Sequence, residues 1–246
     1  MTLRSPICSR FAALCLLAGA ALAAVGDLRA GAVAGAVRLT GSNESSVRKH
    51  GDFSSVVIWL EPATGTATPL SPRHARMVQK DKRFDPHVLA VDVGATVEFP
   101  NLDPIFHSAF SSFDGQVFDL ALYPPGTSPS IHFTRPGVVR IFCNIHPSMS
   151  ALIVVLDSPY FATTDKDGHF AIPNVPAGQY RLHVLHERAT AETLAALVQN
   201  VTVSDSGAVL QPITISEVGY LPVTAHKNKY GRDYPPVTDD RQSYPQ

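Results

Sequence analysis

The sequence predicts an all-β protein: a Greek-key β-sandwich followed by a second, smaller β-sandwich. Valine, isoleucine and aromatic residues come in short runs, which is typical of strands. The chain contains 20 prolines and 16 glycines, and these residues separate many of the runs. No apolar pattern with the 3.6-residue period of a helix extends over several turns. These observations favour short strands joined by tight turns.

The first and larger sandwich is predicted over residues 33–158. Its first two strands are expected at residues 33–39 and 55–60, on either side of a polar loop. A basic and irregular stretch follows from Ser71 to Lys82. The remaining strands are expected within the segments HVLAVDVGATVEFPN, VFDLALYPPG, SIHFTRPGVVRIFC and ALIVVLDSP, which contain turns of glycine and proline.

The second sandwich is predicted over residues 159–217, after a boundary near Asp157-Ser158-Pro159. The segment QYRLHVLH alternates apolar and polar residues, as a half-buried strand does. The segment AETLAALV would make two helical turns, but the run LVQNVTV that overlaps its end favours a strand. Residues 159–215 resemble a carboxypeptidase regulatory-like β-sandwich. From 221 to 246 the chain is polar and contains several prolines and tyrosines, so we expect a disordered tail.

The N-terminus has the pattern of a secretory signal peptide, predicted over residues 1–23. Arg4 and Arg10 supply positive charge, and an apolar stretch runs from Phe11 to Val25 across the small-residue cleavage site Ala21-Leu22-Ala23. The apolar stretch is shorter than the ~20 residues that cross a bilayer. We therefore expect a periplasmic protein without stable membrane insertion after cleavage. The alternative is an uncleaved N-terminal anchor.

The charge balance argues against a nucleic-acid-binding protein. The chain has 20 Lys and Arg residues against 21 Asp and Glu residues, and its formal net charge is −1. Charged residues make up 17% of the chain. A nucleic-acid-binding domain would instead show clustered basic residues on one surface.

Of the cysteines, Cys143 alone lies outside the predicted signal peptide. The chain has 3 cysteines, of which Cys8 and Cys15 lie inside the predicted signal peptide. The exported protein would keep Cys143 alone, and an unpaired thiol in an oxidising compartment pairs with another molecule, stays buried and inert, or binds a metal. Cys143 begins the pattern C-x-x-H-x-x-M within the run FCNIHPSM, in which His146 and Met149 follow it.

The run FCNIHPSM predicts a metal-binding loop. A strand ends at Cys143 and another begins after Met149, so the loop folds back and its side chains converge. A thiolate, two imidazoles and a weak axial thioether are the ligands of a blue copper site. His107 supplies the second imidazole from a loop after the strand ATVEF. Zinc is disfavoured, because a thioether is a poor zinc ligand. The sequence therefore predicts one copper ion held by His107, Cys143, His146 and Met149.

The same residues resemble those of the cupredoxins. The C-x-x-H-P-x-M spacing of FCNIHPSM is most similar to that of amicyanin, and residues 75–160 resemble plastocyanin-like periplasmic proteins of the methylamine utilisation type. The resemblance implies a type 1 copper centre that transfers single electrons. It implies equatorial ligation by His107, Cys143 and His146, axial ligation by Met149, and a redox partner protein such as a cytochrome or a quinoprotein.

One position departs from the cupredoxin pattern. Cupredoxins usually place asparagine directly after the first histidine ligand, where its side chain joins the two ligand loops. In this chain the residue is Ser108. We expect the shorter hydroxyl to make a looser connection.

Other functions stay open on the sequence alone. The same soft ligands would serve a copper chaperone or storage protein, and two β-sandwiches would also serve as a scaffold that binds a polysaccharide or a protein. In a further alternative, no metal is bound and Cys143 is a buried free thiol within an ordinary loop. A multicopper oxidase is excluded, because its trinuclear cluster needs His-x-His pairs and the chain has none. A binuclear copper centre needs a second cysteine near Cys143. We therefore predict an electron carrier and not an enzyme.

Overall fold

The computed structural model describes residues 31–64, 73–112, 115–221 and 226–234. The predicted signal peptide lies outside these residues. In chain order the strands are β1 (Gly31–Thr40), β2 (Val57–Pro62), β3 (His74–Arg76), β4 (Val78–Lys80), β5 (Arg83–Asp85), β6 (Val88–Asp92), β7 (Thr96–Glu98), β8 (His107–Ser111), β9 (Phe118–Tyr123), β10 (Ser130–His132), β11 (Gly137–Phe142), β12 (Ser150–Leu156), β13 (Phe161–Thr163), β14 (His169–Val175), β15 (Gly178–Leu185), β16 (Gln199–Val203), β17 (Ala208–Val209) and β18 (Ile213–Ser216). The two helices are α1 (Ser45–His50) and α2 (Ala191–Ala196).

The described residues confirm the all-β class. The sequence does not predict α1, which lies in the polar loop between the first two strands. Of its residues, Val47 is buried, and the helix ends at Gly51, which adopts a left-handed conformation with φ of 61°. A helix this short shows no apolar period, so the sequence pattern does not reveal it. In the part of the chain that the structure describes, no helix is both long enough and apolar enough to span a bilayer.

The sandwich that carries the predicted metal ligands has one five-stranded and one three-stranded sheet. The larger sheet has the strand order β6-β12-β11-β8-β9, and the smaller has the order β10-β7-β3. The apolar side chains of the two sheets meet in one core, whose fully buried members include Phe99, Phe133, Ile141 and Ile153. Cys143 and Met149 belong to this core.

The second sandwich is built from two further sheets. One has the order β14-β1-β17, with β18 also paired to β1, and the other has the order β13-β2-β15-β16. Its core includes Ile58, Leu60, Ile172, Leu182 and Ile215, all buried.

The sequence predicts β1 and β2 in the first sandwich, residues 33–158, but the structure pairs both strands with those of the second. β1 pairs with β14, β17 and β18, and β2 pairs with β13 and β15. Both strands therefore belong to the sheets of the second sandwich, and the metal-ligand sandwich is inserted in the chain between β2 and β13. The alternation of apolar residues indicates which face of a strand is buried, but not which strand lies beside it. This is why the sequence places β1 and β2 with their neighbours along the chain.

The two sandwiches are joined through β12, which is buried on both faces. Ala151, Ile153 and Val155 face the core of the metal-ligand sandwich. Leu152 and Val154 point the other way and pack in a third cluster that includes Val57 of β2. The continuous apolar run ALIVVL is explained by this double burial.

The C-terminal segment 226–234 is ordered and packed, which corrects the expected disordered tail over these residues. The backbone amide of Gly231 donates to the carbonyl of Asn228 at 2.9 Å and closes a turn. The backbone amide of Lys229 donates to the side chain of Asn144 at 3.0 Å. Residues 222–225 and 235–246 of the predicted tail lie outside the described residues. We call residues 226–234 the strap.

The placement of β2 in the second sandwich predicts the effect of a cavity in its core. Leu60 of β2 is fully buried, so Leu60→Ala should lower the free energy of unfolding by about 2–5 kcal/mol. Amide hydrogen exchange should accelerate first in β13 and β15, which flank β2. Leu122→Ala is the matched control, because Leu122 is 52% exposed. Accelerated exchange confined to β6 and β11 would contradict the observed pairing.

Candidate metal centre

The predicted ligands come from the ends of neighbouring strands of one sheet. His107 is the first residue of β8, rather than part of a loop as the sequence predicted. Cys143 follows the last residue of β11, and His146 and Met149 lie in the turn that leads into β12. β8 and β11 are adjacent, with Phe110 opposite Phe142. This pairing brings His107 next to Cys143, although 36 residues separate them along the chain.

Three donor atoms meet at one point. The Nδ1 atoms of His107 and His146 lie 3.1 Å apart. The Sγ atom of Cys143 is 3.9 Å from Nδ1 of His107 and 3.6 Å from Nδ1 of His146. The three residues form a group whose ligand atoms all lie within 4.8 Å of one another. His107 and Cys143 are fully buried, and His146 is half-buried.

These separations fit a single metal ion. Nitrogen and sulfur ligands about 2.0–2.3 Å from a shared ion, in a trigonal or tetrahedral arrangement, lie about 3.3–3.8 Å from each other. The three observed separations, 3.1, 3.6 and 3.9 Å, depart little from this range. One soft thiolate with two imidazoles is a donor set that suits copper.

Met149 lies at the end of the same loop and is 1% exposed. The backbone amide of Cys143 donates to the carbonyl of Met149 at 3.2 Å, and the amide of Met149 donates to the carbonyl of His146 at 3.0 Å. The loop from Cys143 to Met149 is thus closed by its own backbone hydrogen bonds. The thioether of Met149 is held in the core that also contains Cys143.

Asp103 fixes the orientation of the His107 ring, a role that the sequence analysis did not identify. Its Oδ2 atom is 2.7 Å from Nε2 of His107. The same carboxylate accepts hydrogen bonds from the backbone amides of Asp81 and Lys82 at 2.7 and 2.9 Å. When Nε2 of a neutral His107 donates its hydrogen to this carboxylate, the Nδ1 atom carries a lone pair instead of a hydrogen. That lone pair faces Cys143 and His146.

The loop that carries Asp103 is shaped by Asn101. The Oδ1 atom of Asn101 accepts from the backbone amide of Asp103 at 3.1 Å, and its Nδ2 atom donates to the carbonyl of Ile105 at 2.8 Å. Asn101 is fully buried. The sequence signal for this arrangement is the spacing of Asn101, Asp103 and His107 in the loop before β8, and such a signal is weak without the fold.

Ser108 connects the two ligand segments. The backbone amide of Asn144 donates to the Ser108 hydroxyl at 2.7 Å. The hydroxyl in turn lies 3.8 Å from the Cys143 sulfur, toward which it donates. Ser108 is 1% exposed. The sequence predicted a looser connection than asparagine would make, but the serine hydroxyl reaches the second ligand loop at a short distance.

The thiol of Cys143 is strongly acidified. Burial raises its pKa, but hydrogen bonds from His107, His146 and the backbone amides of Ile145 and Ser108 outweigh burial and lower the pKa to about 5. Burial lowers the pKa of His107, but its hydrogen bonds with Cys143 and Asp103 raise it above the ordinary value. Before a metal binds, the surroundings of Cys143 therefore favour its thiolate over its thiol. The thiolate is the form that binds metals.

The sequence of the second sandwich matches a known family. The model of the family described as polysaccharide lyase family 4, domain II, matches residues 155–210. The matching family is therefore not the carboxypeptidase regulatory-like family, to which the sequence analysis likens residues 159–215. The match covers less than half of the chain and leaves out β1 and β2. A search of curated proteins found no match.

Several solved structures resemble part of the chain. A copper-containing nitrite reductase from Thermus scotoductus is 31% identical with a TM-score of 0.33, over 39% of this chain and 25% of the reductase. This chain thus spans about a quarter of the reductase. A purple cupredoxin from Nitrosopumilus maritimus is 23% identical with a TM-score of 0.31, over 33% of this chain and 99% of the cupredoxin. An oxidised amicyanin mutant is 21% identical with a TM-score of 0.32, over 33% of this chain and 80% of amicyanin. Because these TM-scores are low, the metal centre is inferred from its geometry and not from these likenesses.

The carboxylate behind His107 predicts an effect on metal affinity. Asp103→Asn keeps the shape of the side chain but replaces an ionised acceptor with a neutral amide. Loss of such an outer partner typically weakens metal binding about 10–100-fold. Competition with a copper chelator of known affinity measures the change. The control is Asp157→Asn, which makes the same change on the exposed surface. Equal affinities for the two variants would show that Asp103 does not orient the ligand.

The acidified thiol predicts a titration of the metal-free protein. As the pH is lowered, the ultraviolet absorbance of the Cys143 thiolate should fall with a midpoint near pH 5, whereas an ordinary cysteine has a pKa of 9.0. Because the pKa is lower in the folded protein than in the unfolded chain, thiolate formation stabilises the fold. This contribution is complete above pH 9 and is lost as the pH falls through about 5. Cys143→Ser supplies the baseline. A midpoint above pH 8 would contradict the hydrogen-bonded thiolate.

Proposed function

We propose that this chain is a periplasmic type 1 copper protein that transfers single electrons. The observation that carries the proposal is the convergence of His107 Nδ1, His146 Nδ1 and Cys143 Sγ within 4.8 Å of one another. His107, Cys143 and His146 would hold copper equatorially, and the buried thioether of Met149 would be the weak axial ligand. When bound, copper supplies a metal that gains and loses one electron. The rest of the mechanism belongs to the chain's own residues.

The residues around the site favour electron transfer because they hold the ligands still. Asp103 fixes the ring of His107, and the hydroxyl of Ser108 fixes the backbone at Asn144. The loop from Cys143 to Met149 is closed by its own hydrogen bonds. Ligands that are fixed before the metal arrives need little rearrangement when its charge changes, and this lowers the barrier to electron exchange.

Burial favours a carrier over a catalyst. Cys143, His107 and Met149 are each at most 1% exposed, so a substrate in solution has little direct access to these three side chains. His146 is half-buried and is the ligand through which an electron would pass to the surface. Leu102 and Phe106, in the loop before His107, are 60% and 39% exposed. Exposed apolar side chains near a redox site suit a small and transient contact with a redox partner protein.

The proposed location rests on the sequence. The predicted signal peptide, residues 1–23, would direct export to the periplasm, where a single cysteine that is bound to copper is protected from oxidation. A copper centre served by a cytochrome or a quinoprotein fits that compartment. The carboxypeptidase regulatory-like sandwich proposed for residues 159–215 contributes none of the proposed copper ligands.

Copper titration tests the proposed function. Addition of one equivalent of Cu(II) should produce an intense visible charge-transfer band from the Cys143 thiolate, and Cys143→Ser should abolish it. A potential measurement on the coloured protein should then show a reversible one-electron couple, and Met149→Leu should shift it. The control is Met77→Leu, in which a fully buried methionine outside the ligand loop is changed in the same way.

The other outcomes separate the alternatives. A pale spectrum with one bound Cu(II) would favour a copper chaperone or storage protein. Turnover of a small substrate by the copper-loaded protein would favour an enzyme. Failure to bind copper would favour a scaffold built from two β-sandwiches and would overturn the proposal.

A further inference from the structure

The strap, residues 226–234, covers the outer face of the sheet beside the metal centre. Along β11 the side chains alternate, so Ile141 and Cys143 face the inner core while Phe142 points to the opposite side. Phe142 and Phe110 of β8 lie together on this outer face, with ring centroids 5.9 Å apart. The ring of His226 in the strap packs against the ring of Phe142, with centroids 4.3 Å apart and the planes tilted by 30°. Phe142 is 8% exposed and Phe110 is 2% exposed.

The strap is attached to the residues of the ligand loop itself. The hydroxyl of Tyr234 donates to the carbonyl of Cys143 at 2.7 Å. The backbone amide of Lys229 donates to Oδ1 of Asn144 at 3.0 Å. The ammonium of Lys229 forms an ion pair with Asp119 of β9 at 2.8 Å. Two of these anchors therefore end on consecutive residues of the copper-binding loop, and the third ends on the edge strand of the same sheet.

The two ends of the strap are also held to each other. Nδ1 of His226 is 3.2 Å from the hydroxyl of Tyr234, and their rings meet edge to face with centroids 5.2 Å apart. Between them, the side chain of Asn228 accepts from the backbone amides of Tyr230 and Arg232, each at 3.0 Å. The strap is thus a compact turn and not a loosely attached tail. A compact turn can hold another loop in place.

We propose that the strap is part of the copper centre, with Tyr234 as a positioning residue that acts through Cys143. The strap holds residues 142–144 in their metal-binding conformation before copper arrives. It does so at the carbonyl of Cys143 and at the side chain of Asn144, while the amide of Asn144 is held by Ser108 from the opposite side. This inference rests on the proposed copper function.

The physical reason is preorganisation. A ligand loop that is ordered only on metal binding loses conformational entropy at that step, and its affinity is lower by that amount. A loop that is already held by the strap loses this conformational entropy during folding, so the loss does not lower the affinity for the metal. Outer partners that fix metal ligands typically contribute about 10–100-fold to metal affinity. The O–H group of Tyr234 also places a dipole near the cysteine, so its removal should alter the charge-transfer band of the thiolate.

The test compares Tyr234→Phe with Tyr230→Phe in the full-length exported protein. Tyr234→Phe removes one hydroxyl that binds the ligand loop, and Tyr230→Phe removes one from a strap residue that is 71% exposed. Copper affinity is measured by chelator competition, the visible band is recorded, and hydrogen exchange is measured at residues 142–149 without copper. We expect Tyr234→Phe to bind copper about tenfold more weakly. The visible charge-transfer band of Tyr234→Phe should also be shifted, and its amide hydrogens in residues 142–149 should exchange faster than in the native chain. Tyr230→Phe should match the native chain in all three measurements.

A second variant tests the other anchor on the loop. Asn144→Ala removes the acceptor of the Lys229 amide but keeps the backbone amide that binds Ser108. It should weaken copper binding in the same direction. In the double variant with Tyr234→Phe, the combined loss should be smaller than the product of the two single losses, because both changes release the same strap. Circular dichroism of each variant checks that the sandwich is folded.

The contrary outcomes are distinguishable. If the native chain binds copper with an intense band and Tyr234→Phe matches Tyr230→Phe in affinity, band and exchange, this inference is wrong and the proposed function stands. If the native chain binds no copper, both fail together.

Discussion

The candidate metal centre depends most on the hydrogen bond from the backbone amide of Asn144 to the hydroxyl of Ser108. At 2.7 Å, between a half-buried loop and a buried strand residue, it joins two ligand segments that lie 36 residues apart in the chain. β-pairing brings β8 and β11 together, but at a single residue pair, so it does not fix the separation of their ends. The serine supplies the missing restraint. His107 and Cys143 directly precede these two residues in the chain, so this restraint also sets how their side chains converge.

Much of this fold follows from the sequence, because the residues of a strand indicate it by their local pattern. Alternating or continuous apolar runs identify most strands, and the short turn of the run FCNIHPSM brings Cys143 and His146 together by chain geometry alone. The partner of each strand is set by the packing of the whole core. For this reason the sequence predicts β1 and β2 within the first sandwich, whereas they pair with strands of the second. His107 is likewise identified as a candidate by residue type, whereas the carboxylate of Asp103 behind it depends on how the loop shaped by Asn101 folds.

The strap shows a different limit of sequence reasoning. Its composition is polar, which favours disorder when stability is expected to come from apolar burial. The contacts that order it are of another kind: a backbone amide of Lys229, a phenolic hydroxyl of Tyr234 and the flat ring of His226. Each needs a partner of matching geometry and contributes little to an apolar pattern. Such a segment becomes recognisable only when the surface beneath it, here Phe142 and the loop after it, is known.

The inserted arrangement explains how the strap reaches the metal centre. β18 ends at Ser216 and pairs with β1, deep in the second sandwich, so the chain that leads to the strap starts from that sandwich and not from the one that holds the ligands. The second sandwich is in turn fixed to the ligand sheet through Val57, Leu152 and Val154. A segment that is delivered from a fixed base has a high effective concentration at its target, and it docks at a smaller entropic loss than a free peptide would. The second sandwich thereby acquires a role in the proposed copper centre without contributing a ligand. It provides the base from which the strap departs, and Tyr234 of the strap binds the carbonyl of Cys143.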